Sequence, residues 1–136
     1  MYTHKVHYYE TDKMGITHHS NYIRWMEEAR IDFFEKLDLG YDKMEEQGMM
    51  SPVLSVNGNY KKTTTFTDII NIEVKIAEFN GVKLKLSYTM TNVDGAVVFT
   101  GESSHCFLNE SGYPVKLKKD KPEIYSALMN AVEGEE

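Results

Sequence analysis

The stretch that decides the fold runs from Tyr9 to Tyr22 and reads YETDKMGITHHSNY. It is largely polar, contains one glycine, and leads directly into the run Ile23 to Leu37, which has apolar residues at helical spacing. This order of segments predicts an ordered loop that ends at the start of a helix. Ser20 or Asn21 is expected to cap that helix, because either side chain can accept a hydrogen bond from its first N–H groups.

The predicted helix carries one broad apolar stripe. The stripe consists of Tyr22, Trp25, Met26, Ala29, Phe33 and Leu37. Charged side chains lie mostly off this stripe, so we expect the helix to pack against an apolar surface along its length. Gly40 is the expected stop signal beyond it, and a short second helix is predicted for Tyr41 to Gly48.

After the second predicted helix, apolar residues recur at every other position, which is typical of strands. The alternating segments are Val53 to Tyr60, Ile69 to Phe79, Val82 to Val93 and Ala96 to Leu108. The last three are separated by Asn80-Gly81 and Asp94-Gly95, and both pairs are typical of tight hairpin turns. At least these three segments should form an antiparallel meander.

The ends of the chain are predicted to add one strand and one helix. Tyr2 to Tyr9 alternates as a strand, with Val6 and Tyr8 on one face. A short helix is expected from Pro122 to about Val132, since proline is favoured at the first helical position. The pattern predicts an α+β fold in which a twisted antiparallel sheet of about five strands wraps one long central helix.

Length and composition indicate an ordinary globular protein. The 136 residues are 41% hydrophobic and 26% charged, so we expect a single soluble domain over residues 1–136. The apolar runs are too short to span a bilayer, and the first residues resemble a strand more than a signal peptide. A cytoplasmic location is therefore expected. The single cysteine, Cys106, excludes an intramolecular disulfide and is expected to be a buried residue of a strand. Residues 133–136 are expected to fray.

The formal net charge of −6 argues against nucleic-acid binding, for which a basic surface is usual. A local basic patch could still bind the phosphates of a small ligand. The candidate lysines are Lys61 and Lys62 and the cluster Lys116, Lys118, Lys119 and Lys121. Solvated lysines at strand ends would explain these groups equally well.

The loop before the helix offers groups that act on a carbonyl. Asp12 supplies a carboxylate, and the first N–H groups of the helix have no partner inside it and lie at the positive end of its dipole. A carbonyl oxygen placed there would have its developing negative charge stabilised, while Asp12 attacked the carbonyl or activated a water. An aspartate before a helix is also a common turn or capping residue, so both interpretations stay open at this point.

The chain also contains the pattern Tyr9-x-x-Asp12-x-x-Gly15-x-x-x-His19-x-Asn21-Tyr22-x-Arg24-Trp25-x-Glu27-x-Ala29-Arg30. This pattern strongly resembles the signature of hotdog-fold acyl-CoA thioesterases of the 4-hydroxybenzoyl-CoA thioesterase type. The resemblance extends more weakly over nearly the whole chain and includes Tyr60 to Asp68. It implies a hotdog fold, hydrolysis of an acyl-CoA thioester without a cofactor, and a homodimer or homotetramer. No metal site is expected, because no third ligand stands at a suitable spacing from His18 and His19.

The resemblance also implies a role for particular residues. Asp12 aligns with the catalytic aspartate, as nucleophile or general base, and Gly15 would permit the tight loop that lets the acyl group approach. The backbone N–H of His19 would point at the thioester oxygen. Because histidine titrates near neutrality, the His19 side chain could also transfer a proton; alternatively it would orient the loop or contact Asp12. His18 stands where relatives commonly carry an aromatic residue. Substrate contacts are expected from His18, Tyr22, Lys61, Lys62, Thr63 and Thr64.

Other functions compete with this one. The chain could hydrolyse an acyl-carrier-protein thioester, or bind acyl groups without catalysis. A dehydratase of the same fold fits less well, because its His and acid pair arises in a different helix context. Another branch of these thioesterases uses a carboxylate on the central helix, but here Glu27 is expected to pair with Arg24 or Arg30. The acyl group is not given by the sequence.

Overall fold

The computed structural model describes residues 1–133, which form an α+β arrangement of helices and antiparallel strands. The helices are α1 (Ser20–Lys36), α2 (Tyr41–Glu46), α3 (Leu117–Asp120) and α4 (Pro122–Glu133). The strands are β1 (Tyr2–Lys5), β2 (Met49–Met50), β3 (Val53–Tyr60), β4 (Ile69–Phe79), β5 (Lys83–Thr91), β6 (Val97–Cys106) and β7 (Leu108–Asn109). Of the tail predicted to fray, Glu133 is the last residue of α4, and residues 134–136 lie outside the described residues.

Five strands form one antiparallel sheet in the order β1-β4-β5-β6-β3. The predicted meander is confirmed by β4, β5 and β6. Both predicted turns are present, with Gly81 at φ +88° and Gly95 at φ +83°, a region of backbone conformation that glycine adopts without steric cost. The short strands β2 and β7 pair separately. In the main sheet, β1 and β3 are the two edge strands.

The main core lies where α1 packs against the sheet. Trp25, Met26 and Ala29 are fully buried, as the stripe predicted. Towards the end of the helix, however, Phe34 is buried while Phe33 is only partly so. The buried face shifts by one residue because a helix of 3.6 residues per turn rotates slowly past any fixed heptad spacing. Across residues 1–133, no helix is both long and apolar enough to cross a membrane.

The first strand is shorter than predicted, and its predicted face is wrong. It ends at Lys5, and a 3-10 turn follows at Tyr8–Glu10. Val6 is buried, but Tyr8 is 75% exposed. The carboxylate of Glu10 accepts the His7 N–H across 2.7 Å, and this bond turns the chain away from the strand direction before Tyr8.

Both ends of α1 also differ from the prediction. His19 is the N-cap residue and makes no side-chain capping bond, whereas the Asn21 amide donates instead to the Glu10 carbonyl at 2.9 Å. At the other end, the helix stops at Lys36, and Asp38 adopts φ +62°. Gly40 is therefore not the stop signal, because it precedes α2 as its N-cap residue.

Candidate active site

The loop that contains Asp12 is closed by its own hydrogen bonds. The Asp12 N–H donates to the Ile16 carbonyl, and the Gly15 N–H donates to the Asp12 carbonyl, both across 2.9 Å. The Met14 N–H donates to Asp12 Oδ1 at 2.8 Å, so this carboxylate also organises the turn. Gly15 has φ +80°, and a Cβ added there would meet no atom within 4 Å. The backbone conformation, rather than lack of space, therefore explains why glycine fits this position.

Threonine hydroxyls join this loop to the segment between β3 and β4. The Thr17 N–H donates to the Thr64 carbonyl at 2.8 Å, and the two threonine hydroxyls lie 2.6 Å apart. The Tyr22 hydroxyl is 2.9 Å from Thr64 Oγ1, and Thr65 Oγ1 donates to the Gly15 carbonyl at 2.7 Å. Thr17 and Thr64 are both buried. These bonds therefore hold the loop on the side that faces the protein interior.

The start of α1 leaves one backbone donor unused. The Asn21 N–H donates to the His18 carbonyl at 3.0 Å, and the Tyr22 N–H donates to the His19 carbonyl at 3.3 Å. The Ser20 N–H lies 3.3 Å from His18 Nδ1. Within residues 1–133, the His19 N–H has no backbone or side-chain acceptor. It is a donor at the positive end of a helix dipole, where an oxyanion would be stabilised.

A pocket of about 300 Å³ brings the loop and the start of α1 to one surface. It is lined by Asp12, Met14, Ile16, Thr17, His19, Tyr22, Tyr60, Lys61, Lys62 and Thr63. Most of the residues predicted from the sequence are therefore neighbours in space. Gly15, His18 and Thr64 do not line the pocket. Larger cavities of about 560 and 570 Å³ lie elsewhere, and of the candidate residues only Lys121 lines one of them, the cavity of about 570 Å³.

The pocket wall is built from aromatic rings. Tyr22 stacks on Phe99, with ring centroids 5.1 Å apart, and Tyr60 meets Phe99 edge to face at the same distance. Gly58 leaves room for Phe99, since a Cβ at Gly58 would lie 2.2 Å from its Cζ. Burial raises the pKa of the Tyr22 hydroxyl. Tyr22 is therefore uncharged at pH 7 and forms part of the pocket wall as a hydrogen-bonding group.

The two histidines occupy different places. The His19 side chain lines the pocket, and its ring faces the edge of Tyr60 with centroids 6.4 Å apart. His18 is exposed outside the pocket lining; its ring lies 4.3 Å from that of His19, and its Nδ1 lies 2.9 Å from the Ser20 hydroxyl. His18 thus packs against His19 from the outside.

Of the candidate lysines, only Lys61 and Lys62 lie at this pocket. The backbone N–H groups of both donate to the Val98 carbonyl, at 2.8 and 3.1 Å, which fixes the main chain next to β6. The lysine cluster around α3 does not line the pocket. Glu27, the alternative carboxylate, lies outside it too, and its Oε2 is 3.9 Å from Arg30 Nη2, consistent with the expected pairing.

The sequence interpretation missed Glu10, which is 4% exposed. Its Oε1 accepts the His7 N–H at 2.7 Å and lies 2.9 Å from His4 Nε2. Its Oε2 accepts the indole N–H of Trp25 at 2.8 Å. Burial raises the pKa of this carboxyl, but the three N–H partners outweigh burial and hold the pKa below its ordinary value. A signal was available, because a buried tryptophan needs a hydrogen-bond acceptor.

Donor atoms of His4, His7 and Glu10 also lie within 4.8 Å of one another, a spacing that would suit a metal ion. Oε1 of Glu10 already has the His7 N–H and the His4 ring as hydrogen-bond partners. Hydrogen bonding therefore accounts for the cluster.

Tyr60 is the second residue whose role was missed. It was recognised as the start of a matching stretch, but not as part of the pocket. Its hydroxyl donates to the His19 carbonyl at 3.1 Å, and its ring forms part of the lining. The strand pattern alone could not reveal this contact, because it depends on how the end of β3 meets the start of α1.

The chain is similar to known proteins along most of its length. The model of the thioesterase-like superfamily matches residues 6–131. The chain is 35% identical over 128 residues to "Putative acyl-CoA thioesterase YneP" of Bacillus subtilis (strain 168), covering 93% of each chain. It is 32% identical over 124 residues to "Putative esterase" of Aquifex aeolicus (strain VF5), covering 91% of this chain and 95% of that one.

Among solved structures, a DHNA-CoA thioesterase from Staphylococcus aureus superposes with a TM-score of 0.90 at 31% identity, over 98% of this chain and 92% of that one. The resemblance and the hotdog fold predicted from the sequence are thereby confirmed. The chain belongs to the thioesterase-like superfamily.

Proposed function

We propose that this protein is an acyl-CoA thioesterase that hydrolyses a thioester to a free acid and CoA. A single observation carries the proposal: Asp12 and His19, at the start of α1, line one pocket in a chain of the thioesterase-like superfamily, and the His19 N–H has no acceptor within residues 1–133. The names of relatives, such as the Bacillus subtilis protein, support thioester hydrolysis. The acyl-CoA substrate and the residue roles are our inference.

In the proposed reaction, the thioester carbonyl lies between Asp12 and the start of α1. The Asp12 carboxylate attacks the carbonyl carbon or removes a proton from the water that does so. Negative charge develops on the carbonyl oxygen, and the His19 N–H stabilises it. Removing one such donor typically costs about a hundred- to a thousandfold in rate. The C–S bond then breaks, and CoA leaves as a thiolate that takes up a proton from solvent or from the His19 side chain. If water attacked, the free acid is formed in this step; if Asp12 attacked, a water molecule then hydrolyses the acyl–Asp12 anhydride, which releases the acid and restores the carboxylate.

The remaining pocket residues would hold the substrate. Lys61, Lys62, Tyr22 and Thr63 line the pocket. The two lysines would pair with CoA phosphates, and Tyr22 and Thr63 would contact the pantetheine arm. Thr64 is buried beneath the pocket and would act by supporting Thr17 and Tyr22. His18 would contact the substrate only at the rim. Gly15 would keep the Asp12 loop in its tight conformation.

We further propose that residues 1–136 work as one thioesterase domain in a homodimer or homotetramer in the cytoplasm. Support for assembly comes from β3, an edge strand whose residues are exposed along its whole length. Apolar side chains on this edge are substantially exposed, with Val53 at 48% and Leu54 at 50%. Exposed edges of this kind promote pairing with another chain.

The proposed function is tested by measuring thiol release from short, long and aromatic acyl-CoAs with wild type and Asp12→Asn. Asp94→Asn is the matched control, because it makes the same chemical change at an exposed hairpin turn. We expect hydrolysis by wild type and Asp94→Asn, and a loss of about a thousandfold or more in Asp12→Asn. Full activity in Asp12→Asn would refute the assignment of Asp12.

The same experiment separates the alternatives. If no acyl-CoA is hydrolysed, the same acyl groups are offered on an acyl carrier protein, and release there would identify the carrier-protein thioesterase. Thermal stabilisation by acyl-CoA without release of thiol from either donor would identify a binding module instead.

A further inference from the structure

One buried carboxylate connects three separate parts of the chain beside the candidate active site. Glu10 contacts His4 of β1, the His7 N–H at the entrance to the 3-10 turn, and the Trp25 indole of α1. Its side chain is nearly inaccessible to solvent and does not line the pocket. It therefore cannot touch a substrate there, but it fixes the elements on which the pocket is built.

The main chain of the same residue reaches the start of α1. The Glu10 carbonyl accepts the His18 N–H at 2.8 Å and the Asn21 side-chain amide at 2.9 Å. His18 immediately precedes His19, whose N–H is the proposed oxyanion donor. Asp12 lies two positions after Glu10. Glu10 is thus connected to both groups that are proposed to act on the thioester, through the hydrogen bond to His18 and through the chain to Asp12.

The spacing between these two groups matters for the reaction. The carbonyl carbon must meet Asp12 while its oxygen meets the His19 N–H, and a misplacement of about 1 Å can cost on the order of a hundredfold in rate. The Asp12 loop is closed by its own hydrogen bonds, but its position relative to α1 depends on contacts outside the loop. The hydrogen bonds of Glu10 reach α1 through both its side chain and its main chain.

We propose that Glu10 is a positioning residue that sets the distance between the Asp12 carboxylate and the His19 N–H. The inference rests on the proposed function, because it assigns Glu10 to the reaction at that site. Glu10 acts through the parts of the chain that it joins, and it neither exchanges a proton with the substrate nor contacts it.

The main test is Glu10→Gln, assayed as kcat and KM for the best acyl-CoA found in the panel. Glutamine keeps the shape of the side chain but replaces one acceptor oxygen with an NH2 group, so at least one N–H partner of Glu10 loses its acceptor. We expect kcat to fall about ten- to a hundredfold. The value of KM should stay within about threefold, because the pocket lining is unchanged.

A second variant, Asn21→Ala, removes the side-chain donor to the Glu10 carbonyl and leaves the carboxylate intact. We expect a smaller fall in kcat, about three- to tenfold, again with little change in KM. This variant decides the question if Glu10→Gln does not fold.

The control for a general loss of stability is Ser103→Ala. Ser103 is buried in a polar chain, with its hydroxyl 2.7 Å from both the Tyr88 hydroxyl and His105 Nε2, and it has no bond to the Asp12 loop. Each variant is assayed well below its own unfolding temperature. Ser103→Ala should lower the unfolding temperature but keep the wild-type kcat.

Two results would overturn the proposal: a kcat within about threefold of wild type in folded Glu10→Gln, or an equal fall in kcat in Ser103→Ala. In the absence of folded Glu10→Gln, an unchanged kcat in Asn21→Ala would do the same. These outcomes are separable from failure of the proposed function. If Asp12→Asn is inactive and Glu10→Gln is normal, only the role of Glu10 is wrong, whereas full activity in Asp12→Asn removes the basis of both.

Discussion

The hydroxyl of Tyr60 donates a hydrogen bond to the main-chain carbonyl of His19 across 3.1 Å. Tyr60 is the last residue of β3, the exposed edge of the sheet, and His19 carries the N–H that we propose as the oxyanion donor. The bond therefore links the sheet edge proposed for assembly to the site proposed for catalysis. A structural change at the sheet edge can reach the start of α1, or the reverse, through the Tyr60 hydroxyl.

Tyr60→Phe should lower kcat about five- to tenfold, since a hydrogen bond of this type contributes on the order of 1 kcal/mol. The aromatic wall is retained, so KM should change little. The measurement is steady-state thiol release. Tyr113→Phe is a suitable control, because Tyr113 is 68% exposed. An unchanged kcat in Tyr60→Phe would mean that this bond does not orient the start of α1.

His105 should make folding stability depend on pH. Burial and the nearby Arg30 guanidinium lower the pKa of His105 to about 4, from an ordinary 6.5. The unfolded chain therefore binds a proton at a pH where the folded chain does not. Stability should fall as the pH drops from about 6.5 to about 4, by at most about 1.4 kcal/mol per pH unit.

The check is denaturant unfolding at pH 7 and pH 5 for wild type, His105→Gln and Asn57→Ala. Substituting His105 should reduce the loss of stability between these pH values, while substituting the exposed Asn57, which does not titrate, should leave it as in wild type. Glu10 does not interfere with this interval. Its depressed pKa adds stability that is fully present above the ordinary value of 4.5 and is lost as the pH falls through the lower folded value.

Gly58→Ala should disturb the aromatic wall. The added methyl group would lie 2.2 Å from Phe99 Cζ, so Phe99 must move, and it packs against both Tyr22 and Tyr60. Overpacking of this kind typically costs about 1–3 kcal/mol. Thermal unfolding and near-ultraviolet circular dichroism would detect the change.

The control for this substitution is Asn57→Ala, which alters an exposed neighbour on the same strand. If Gly58→Ala unfolded at the same temperature as Asn57→Ala, with an unaltered aromatic spectrum, the tight packing of Phe99 on Gly58 would be refuted.

Leu54→Lys should weaken the proposed assembly. It places a charge on the exposed edge strand β3, and charged side chains on edges oppose strand pairing. Light scattering at micromolar concentration should give a multimeric mass for wild type and a smaller mass for Leu54→Lys. Val93→Lys, at a 71% exposed turn position, should behave as wild type. A monomeric mass for wild type would refute assembly itself.

Local signals explain why much of the fold could be predicted. The bounds of β3 and β4 agree with the alternating segments, and the turns at Gly81 and Gly95 lie where the Asn-Gly and Asp-Gly pairs placed them. Each of these features depends on residues close together in the chain. The pairing of β3 with β6 could not be predicted from such local signals, because it joins residues such as Gly58 and Gly101 that are far apart in sequence.

The candidate site was predictable where a motif specifies a residue type. Asp12 and His19 are singled out by the loop motif, and both line the pocket. Glu10 and Tyr60 were missed because their roles arise from three-dimensional contacts. A glutamate in a polar segment resembles a solvated residue until the Trp25 indole is seen to bond to it, and a tyrosine at a strand end gives no sign of the carbonyl it will meet.

The threonine contacts beneath the pocket have a consequence for the order of folding. Thr17 and Thr64 are 47 positions apart, whereas β4, β5 and β6 are consecutive and joined by tight turns. Contacts between distant positions form more slowly, because a longer loop must be closed before they form. We therefore expect the meander to assemble first and the Asp12 loop to dock on it late. A refolding chain would acquire most of its sheet while still catalytically silent, so that enzymatic activity marks the final stage of folding.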